Sequence, residues 1–599
     1  METMTSTIQR RVRISALSVA AGALVLSACS SGGGGDSKDK QSKEPELKQQ
    51  TISIGTAQDS TGPAPDLPGA KPGGTVSVLQ RDAFEHLDPG QIYVSDELIM
   101  QTLFNRTLTT YKIDDKTGKV TLVGDLATDT GKSSDGGKTW TYTLKEGLKF
   151  EDGTPITSKD IRHGVERLYA KYQVSGPTYL QQWLSGSGQT FRKALPDGPY
   201  KGKHLPDSVL ATPDDKTVVF HFTQPRAEVP FAVAMPNITA VPAAKDTREK
   251  YDKAPVASGP YKIQNFKPDK SIEFVRNSNW DPKTDAVRHQ YADKFSVTFG
   301  HQWVDSTRRL VAGQGADKTG MTFTNAVDPS LISTVLGNKE AMARSFTKTQ
   351  PYVDVVSFNM DRLKDKRVRQ ALAWAWPSGQ VLQQYGGVKA GEVAGGLVGP
   401  TLKGYRPFDP FEKKKYPAGN PEKAKALLKE AGQEGKTIVY AYANTGPAQN
   451  AAVVVERALE KAGFQVEKKE IDSTTYYTQI GKVKNQFDAY RSSWGADWPS
   501  ASTVVPPLYD GKNIYDDSAN YSHLNAPVVN ADIAKAEKIG DIDQAGNEWI
   551  KISQKILTDE VPQVPIFYNR LFTLWGSGLG GVKFHEPYGA VDPTAVFVK

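Results

Sequence analysis

Cysteine is almost missing: the 599-residue chain has one, Cys29. That excludes a disulfide within the chain, a CxxC redox pair and a cysteine-rich zinc site. The eight histidines are scattered, and no two share the helical spacing of a metal-binding pair, so no metal is expected. Charge of one sign is also lacking. Lys plus Arg number 74 against 67 Asp plus Glu, a net +7, and the two signs are interspersed. A nucleic-acid partner would need a clustered basic face, and none is expected. No stretch reaches the ~18 consecutive apolar residues of a membrane span. Catalytic signatures are missing too. Gly137-Lys138-Thr139 and Gly435-Lys436-Thr437 lack the first glycine of a phosphate loop, and there is neither a GxSxG elbow nor an HExxH helix. No cofactor is expected and the chain reads as a non-enzyme, although a carboxylate pair for hydrolysis cannot be picked out by sequence.

What the chain does have begins with an address. Arg10, Arg11 and Arg13 precede a short apolar stretch over residues 14–26, the pattern of a secretory signal over 1–28. The stretch ends in Leu26-Ser27-Ala28-Cys29, which resembles the bacterial lipobox, whose cysteine is diacylated and becomes the new N-terminus. A Gly-, Ser-, Lys- and Pro-rich run over 29–72 reads as a flexible tether. Together these predict a protein anchored through Cys29 on the extracellular face of the membrane, or on the periplasmic side where an outer membrane exists. A plain secretory signal followed by an unrelated cysteine is the alternative.

A hydrophobic fraction of 38% and a charged fraction of 24% describe a soluble globular chain, long enough for two or more domains. Alternation predicts strands at 75–79, 139–144 and 218–222. Apolar spacing predicts a helix over 96–108. Thr157 and Asp160 form a capping-box pattern, opening a helix that places Ile161, Val165, Leu168 and Tyr169 on one face. Asn420-Pro421 starts a helix that Gly432 ends. A strand at 437–442, a helix at 451–462 and a strand at 464–471 then follow in βα order, which predicts a largely parallel sheet. Residues 531–557 read as mostly helical.

Several segments together resemble one family, the extracellular solute-binding proteins of family 5, which serve ABC importers of oligopeptides and dipeptides. The longest match runs Asp125-Leu126-Ala127, then Asp135-Gly136-Gly137-Lys138-Thr139-Trp140-Thr141-Tyr142-Thr143-Leu144 and Asp152-Gly153-Thr154-Pro155. Leu87-Asp88-Pro89, Ser258-Gly259-Pro260-Tyr261, Arg367-Val368-Arg369-Gln370-Ala371-Leu372 and Val561-Pro562-Gln563-Val564-Pro565 follow in family order. The resemblance implies an α/β fold of two hinge-linked lobes, of the type II periplasmic-binding-protein kind, with mixed sheets and an extra domain in the first lobe. Lobe I is expected at 73–110, 241–300 and 558–599, the extra domain at 111–240 and lobe II at 301–557. One loop departs from the pattern: Ala375-Trp376-Pro377-Ser378 stands where relatives carry an Asp-Arg pair.

The implied partners are a short peptide and the permease subunits of an importer, with the chain itself a monomer. A general peptide receptor must hold what peptides share, the main chain and the two charged ends. By resemblance to the oligopeptide binders, Asp497 would pair with the α-ammonium, Arg491 with a carboxylate, and Trp494 and Trp498 would wall side-chain pockets. Tyr93, Tyr179, Ser258 and Tyr568 lie in segments that reach the ligand in relatives. Each has a plainer reading: Asp497 as a turn acid, Arg491 in a surface ion pair, the aromatic rings as core. Oligosaccharides, metal complexes or other small solutes are alternative ligands on the same scaffold. A secreted lipoprotein hydrolase and a peptide-sensing receptor are alternative classes.

Overall fold

The computed structural model describes residues 52–114 and 117–599. The signal segment and Cys29 lie outside them. Two sheets carry most of the architecture. The first has five strands in the order Gly320–Met321, Thr75–Leu79, Lys294–Thr298, Ser271–Arg276, Tyr261–Lys267. Thr75–Leu79 pairs in parallel with both neighbours, and the other two pairs are antiparallel. The second has six strands in the order Gly391–Val393, Gln563–Leu574, Ser345–Phe358, Ala489–Gly495, Thr437–Ala443, Gln465–Ile471. Each sheet has its own apolar core, and a third core gathers residues between 108 and 240 around a four-stranded antiparallel sheet.

The second sheet is mixed, not largely parallel. The βα order does give parallel pairing of Thr437–Ala443 with Gln465–Ile471 and with Ala489–Gly495. Antiparallel pairing of Ser345–Phe358 with Ala489–Gly495 and Gln563–Leu574 makes up the rest. These two long strands also join the lobes. Ser345 to Thr349 pairs with Leu574 to Arg570, beside Phe346 and Leu571, which pack on the first core. Val353 to Ser357 pairs with Tyr568 to Gln563 within the second core. The register breaks between Thr349 and Val353, between the two cores.

Local chemistry explains the helix ends. The capping box forms: the Thr157 N–H and hydroxyl both donate to Asp160 at 2.8 Å. The helix Ser158–Arg167 that follows buries Ile161 and Val165. Asn420 caps the helix Pro421–Ala431 by accepting from the Lys423 N–H, and Gly432 closes it in the left-handed region at φ 63°. The helix expected over 96–108 is shorter. It runs Ser95–Met100 with a 3₁₀ turn Gln101–Leu103, and the Phe104 carbonyl then accepts from the N–H groups of Ser258 and Gly259 instead of continuing the ladder.

The tether expectation fails over 52–72. Ser53–Ile54 pairs in parallel with Val120–Gly124, the Ser60 hydroxyl accepts from the Gly124 N–H at 2.8 Å, and the Ala64 N–H donates to Asp285. The segment is fixed by backbone hydrogen bonds, which composition does not reveal. The departing loop also has a structural use. Trp376 is buried between the helices Lys366–Ala375 and Ser378–Gln384, its ring 5.4 Å from Tyr440.

Two matched motifs are buried ionic ties. Asp88 binds Arg167 through both oxygens at 2.7 and 2.9 Å, and Asp125 accepts from Arg106 at 2.7 Å and from Arg288 at 2.8 Å. All five side chains are sealed from water.

Candidate functional site

The strand Ala489–Gly495 ends beside the first lobe, and the loop after it carries Asp497 and Trp498. Thr503 fixes this loop. Its hydroxyl accepts from the Asp497 N–H at 3.1 Å, and its carbonyl accepts from Trp494 Nε1 at 2.8 Å. The Asp497 carboxylate faces two hydroxyls from the other side of the cleft: Tyr179 donates at 2.5 Å and Tyr93 at 3.0 Å, both to Oδ2. These partners lie 318 and 404 residues away in sequence. Burial pushes the Asp497 carboxyl up to about 7 from its ordinary value, against the pull of the two tyrosine hydroxyls. Burial and the nearby Asp497 charge drive both tyrosines well above the usual phenol range.

Trp498 is fully buried. Its ring lies 4.7 Å from Tyr179 and 6.1 Å from Trp183, and its Nε1 donates to Glu228 at 3.1 Å. Ser502 also donates to that Glu228 oxygen. A cavity of about 730 Å³ opens beside this cluster, lined by Tyr93, Tyr179, Trp183, Trp494, Trp498 and Glu228 among others. That volume suits a small organic ligand. Carboxylates, an aromatic wall and hydroxyls equip the region to receive a cation and apolar groups. Among the described residues no group of His, Cys, Asp and Glu could hold a metal ion.

The structure thus brings Asp497, Tyr93, Tyr179, Trp494 and Trp498 together. Arg491 goes elsewhere. Successive side chains of a strand alternate, so Arg491 and Trp494, three positions apart, leave on opposite faces. Arg491 pairs with the sealed carboxylate of Asp354 and stacks over Tyr385 at 4.6 Å. The Asp354 charge keeps the guanidinium protonated despite burial. Its carboxylate partner is internal, which corrects the expectation that it meets a ligand. Ser258 is buried in the first lobe, where its hydroxyl accepts from the Arg106 N–H at 3.0 Å. Tyr568, expected in lobe I with 558–599, is instead buried in the core of the second sheet, its hydroxyl accepting from the Gly396 N–H at 3.1 Å. Neither lines the cavity, because each hydroxyl is used to brace a backbone turn.

Sequence reasoning missed Trp183 and Glu228. Trp183 sits four residues after Tyr179 on the helix Tyr179–Ser185, a spacing that places both on one face. Nothing marked Glu228, whose partners are 270 and 274 residues distant.

The family described as bacterial extracellular solute-binding proteins, family 5, matches residues 121–516. Among solved structures, the clavulanic acid biosynthesis oligopeptide binding protein 2 is 26% identical, with a TM-score of 0.81 over 92% of this chain and 99% of that one. The murein tripeptide binding protein MppA of Escherichia coli has a TM-score of 0.70 at 20% identity, over 88% and 98% of the two chains. Among curated proteins, the probable D,D-dipeptide-binding periplasmic protein DdpA of Escherichia coli (strain K12) is 21% identical over 500 residues, 80% of this chain and 86% of that protein.

Proposed function

The chain belongs to the bacterial extracellular solute-binding proteins of family 5, and from that membership we propose that it captures short peptides outside the cell and delivers them to the permease of an ABC importer. It has the two-lobed α/β fold of periplasmic binding proteins. The observation that carries the peptide reading is the Asp497 carboxylate, held by Tyr93 and Tyr179, which line an aromatic cavity. A buried acid beside aromatic rings is what an α-ammonium needs, since the charge is met directly and the variable side chains are left to adaptable walls. Relatives named for binding a D,D-dipeptide, a dipeptide and a murein peptide support the same ligand class.

Delivery follows from hinge closure. The lobes meet through Asp497 with Tyr93 and Tyr179, and through Glu228 with Trp498. The two long strands that join the lobes change register between the cores, where bending costs fewest ladder bonds. A ligand that touches both walls stabilises the closed state, and the permease recognises that state. No covalent step is needed. In this reading the chain works as a monomer held on the extracellular face of the cell membrane through a diacylated Cys29. Among the described residues no helix is long and apolar enough to cross a membrane.

Titration calorimetry with di- to tetrapeptides and a panel of oligosaccharides tests the proposal. Heat with peptides is the expected result. Heat with sugars alone would leave a solute receptor whose aromatic wall stacks on sugar rings, and would overturn the peptide reading.

The acid also sets a pH dependence. With its carboxyl near 7 in the empty site, Asp497 is largely protonated at pH 5 and must ionise to bind an ammonium. Affinity therefore rises with pH, by up to about tenfold per unit between pH 5 and 7, and levels off above 7. It falls again once the peptide α-amino group deprotonates near pH 8. Dissociation constants measured from pH 5 to 8.5 check this, and a flat profile below pH 7 contradicts it.

A further inference from the structure

A receptor for zwitterionic peptides that meets the ammonium with Asp497 also has to meet a carboxylate, and the Arg491 guanidinium is committed to Asp354. The cavity wall itself holds three cationic side chains, and two are spent. Arg192 donates to the carbonyls of Leu168, Ala170 and Gln173. Lys512 pairs with Asp510 at 2.8 Å and lies 3.6 Å from Glu537. The third is Arg226. Among the described residues no acceptor takes a hydrogen bond from its guanidinium, its Nε is buried without a partner, and no carboxylate lies within ion-pair distance. Glu228, two residues on, turns to Trp498 and Ser502 instead.

We propose that Arg226 is the subsite for a carboxylate of the bound peptide, at the opposite end of the ligand from Asp497. This rests on the peptide reading and names the group that completes it.

The backbone of Arg226 is fixed at both ends, while its guanidinium, which feels the Glu537 and Glu228 charges, makes no hydrogen bond among the described residues. Its N–H donates to the Gly137 carbonyl at 2.9 Å, and its own carbonyl accepts from Trp140 Nε1 at 3.0 Å. Gly137 sits at φ 94°, a left-handed conformation that favours glycine, and a Cβ there would lie 3.2 Å from the Arg226 nitrogen. The Asp135 carboxylate holds the same turn by accepting from the N–H groups of Lys138 and Thr139. The hairpin that carries the longest family match is thus a shelf for Arg226. The guanidinium rests over Trp183 at 5.2 Å, and Trp183 stands 6.3 Å from Tyr179, which holds Asp497. Two aromatic rings separate the acid from the base, so a short extended ligand spans them. A guanidinium held in place with spare donors loses little freedom on meeting a carboxylate, which gives a strong charge-assisted bond.

The carboxylate comes from the peptide C-terminus or from an acidic side chain, and calorimetry separates the two. The probes are the tri- and tetrapeptides that give heat with the wild-type protein, each remade as a C-terminal amide and as an amide ending in glutamate. The amide is expected to bind about 10- to 100-fold more weakly than the free acid. Arg226→Gln should erase that difference, Arg226→Lys should keep part of it, and Lys512→Gln should leave it intact. Recovery with the glutamyl amide assigns the subsite to a side-chain carboxylate, and no recovery assigns it to the C-terminus. Because the backbone bonds of Arg226 do not involve its side chain, the variants should keep the wild-type urea midpoint. Equal binding of acid and amide by the wild-type protein, or a preference that survives in Arg226→Gln, overturns the assignment and leaves the peptide reading standing. Absence of heat with every peptide overturns both.

Discussion

Asp497→Ala is expected to bind peptides bearing a free α-ammonium about 10²- to 10³-fold more weakly than the wild-type protein. Truncating one partner of an enclosed, hydrogen-bonded charge pair costs about 2–5 kcal/mol, because the other charge is left without its partner. Asp497→Asn keeps the size and can still accept from Tyr93 or Tyr179, so it isolates the charge, and most of the loss should persist. Stability should move the other way. A carboxyl raised to about 7 is held in the fold at a cost when ionised, since the unfolded chain releases that proton near the ordinary value. At pH 8 the urea midpoint of ligand-free Asp497→Asn should therefore equal or exceed that of the wild type. A turn-forming acid predicts the reverse pattern, a lowered midpoint with binding intact, and that result would remove Asp497 from the site.

The second large effect concerns the scaffold. Asp125→Ala should destabilise the first lobe by about 3–5 kcal/mol, the usual result of removing one partner from a buried ion pair. Asp125 accepts from Arg106 Nε, from both terminal nitrogens of Arg288 and from the Thr107 N–H. Asp285 is the remaining acid, 3.1 Å from Arg288 and 3.6 Å from Arg106, and cannot serve two guanidinium groups equally. Those two arginines hold its carboxyl far below the usual range. Urea unfolding followed by tryptophan fluorescence measures the change. A loss under about 1 kcal/mol would mean that water or Asp285 replaces the missing carboxylate.

The sequence disclosed what is local. The capping box at Thr157, the Asn420 to Gly432 helix and the Asp135-Gly136-Gly137 turn each follow from a few neighbouring residues whose side chains or backbone angles do the work. It concealed what depends on distant backbone. Ser53–Ile54 is a strand because the chain around Val120–Gly124 offers it an edge. The helix after Ser95 stops because Ser258 and Gly259 claim the Phe104 carbonyl. The second sheet is mixed because Ser345–Phe358, which carries no strong alternation, runs between two antiparallel partners.

The site divides in the same way. Asp497, Tyr93 and Tyr179 were named through resemblance, since no periodicity connects residues hundreds of positions apart. Resemblance also draws in Arg491, whose pairing with Asp354 the sequence does not show, although strand alternation separates it from Trp494. Ser258 and Tyr568 came from matched segments, where a hydroxyl that braces a turn looks no different from one that meets a ligand. Arg226 left no trace in the sequence, because its distinction is a guanidinium that makes no hydrogen bond or ion pair in three dimensions among the described residues.

The most direct test of the account is calorimetry on the wild-type protein at pH 7.5 with one tight-binding peptide and its N-acetylated form. Acetylation removes the positive charge and little else. If Asp497 anchors the α-ammonium, the acetylated peptide binds at least about 100-fold more weakly, matching the loss in Asp497→Ala. If both forms bind alike, the ammonium is not what the receptor reads, and the central claim fails.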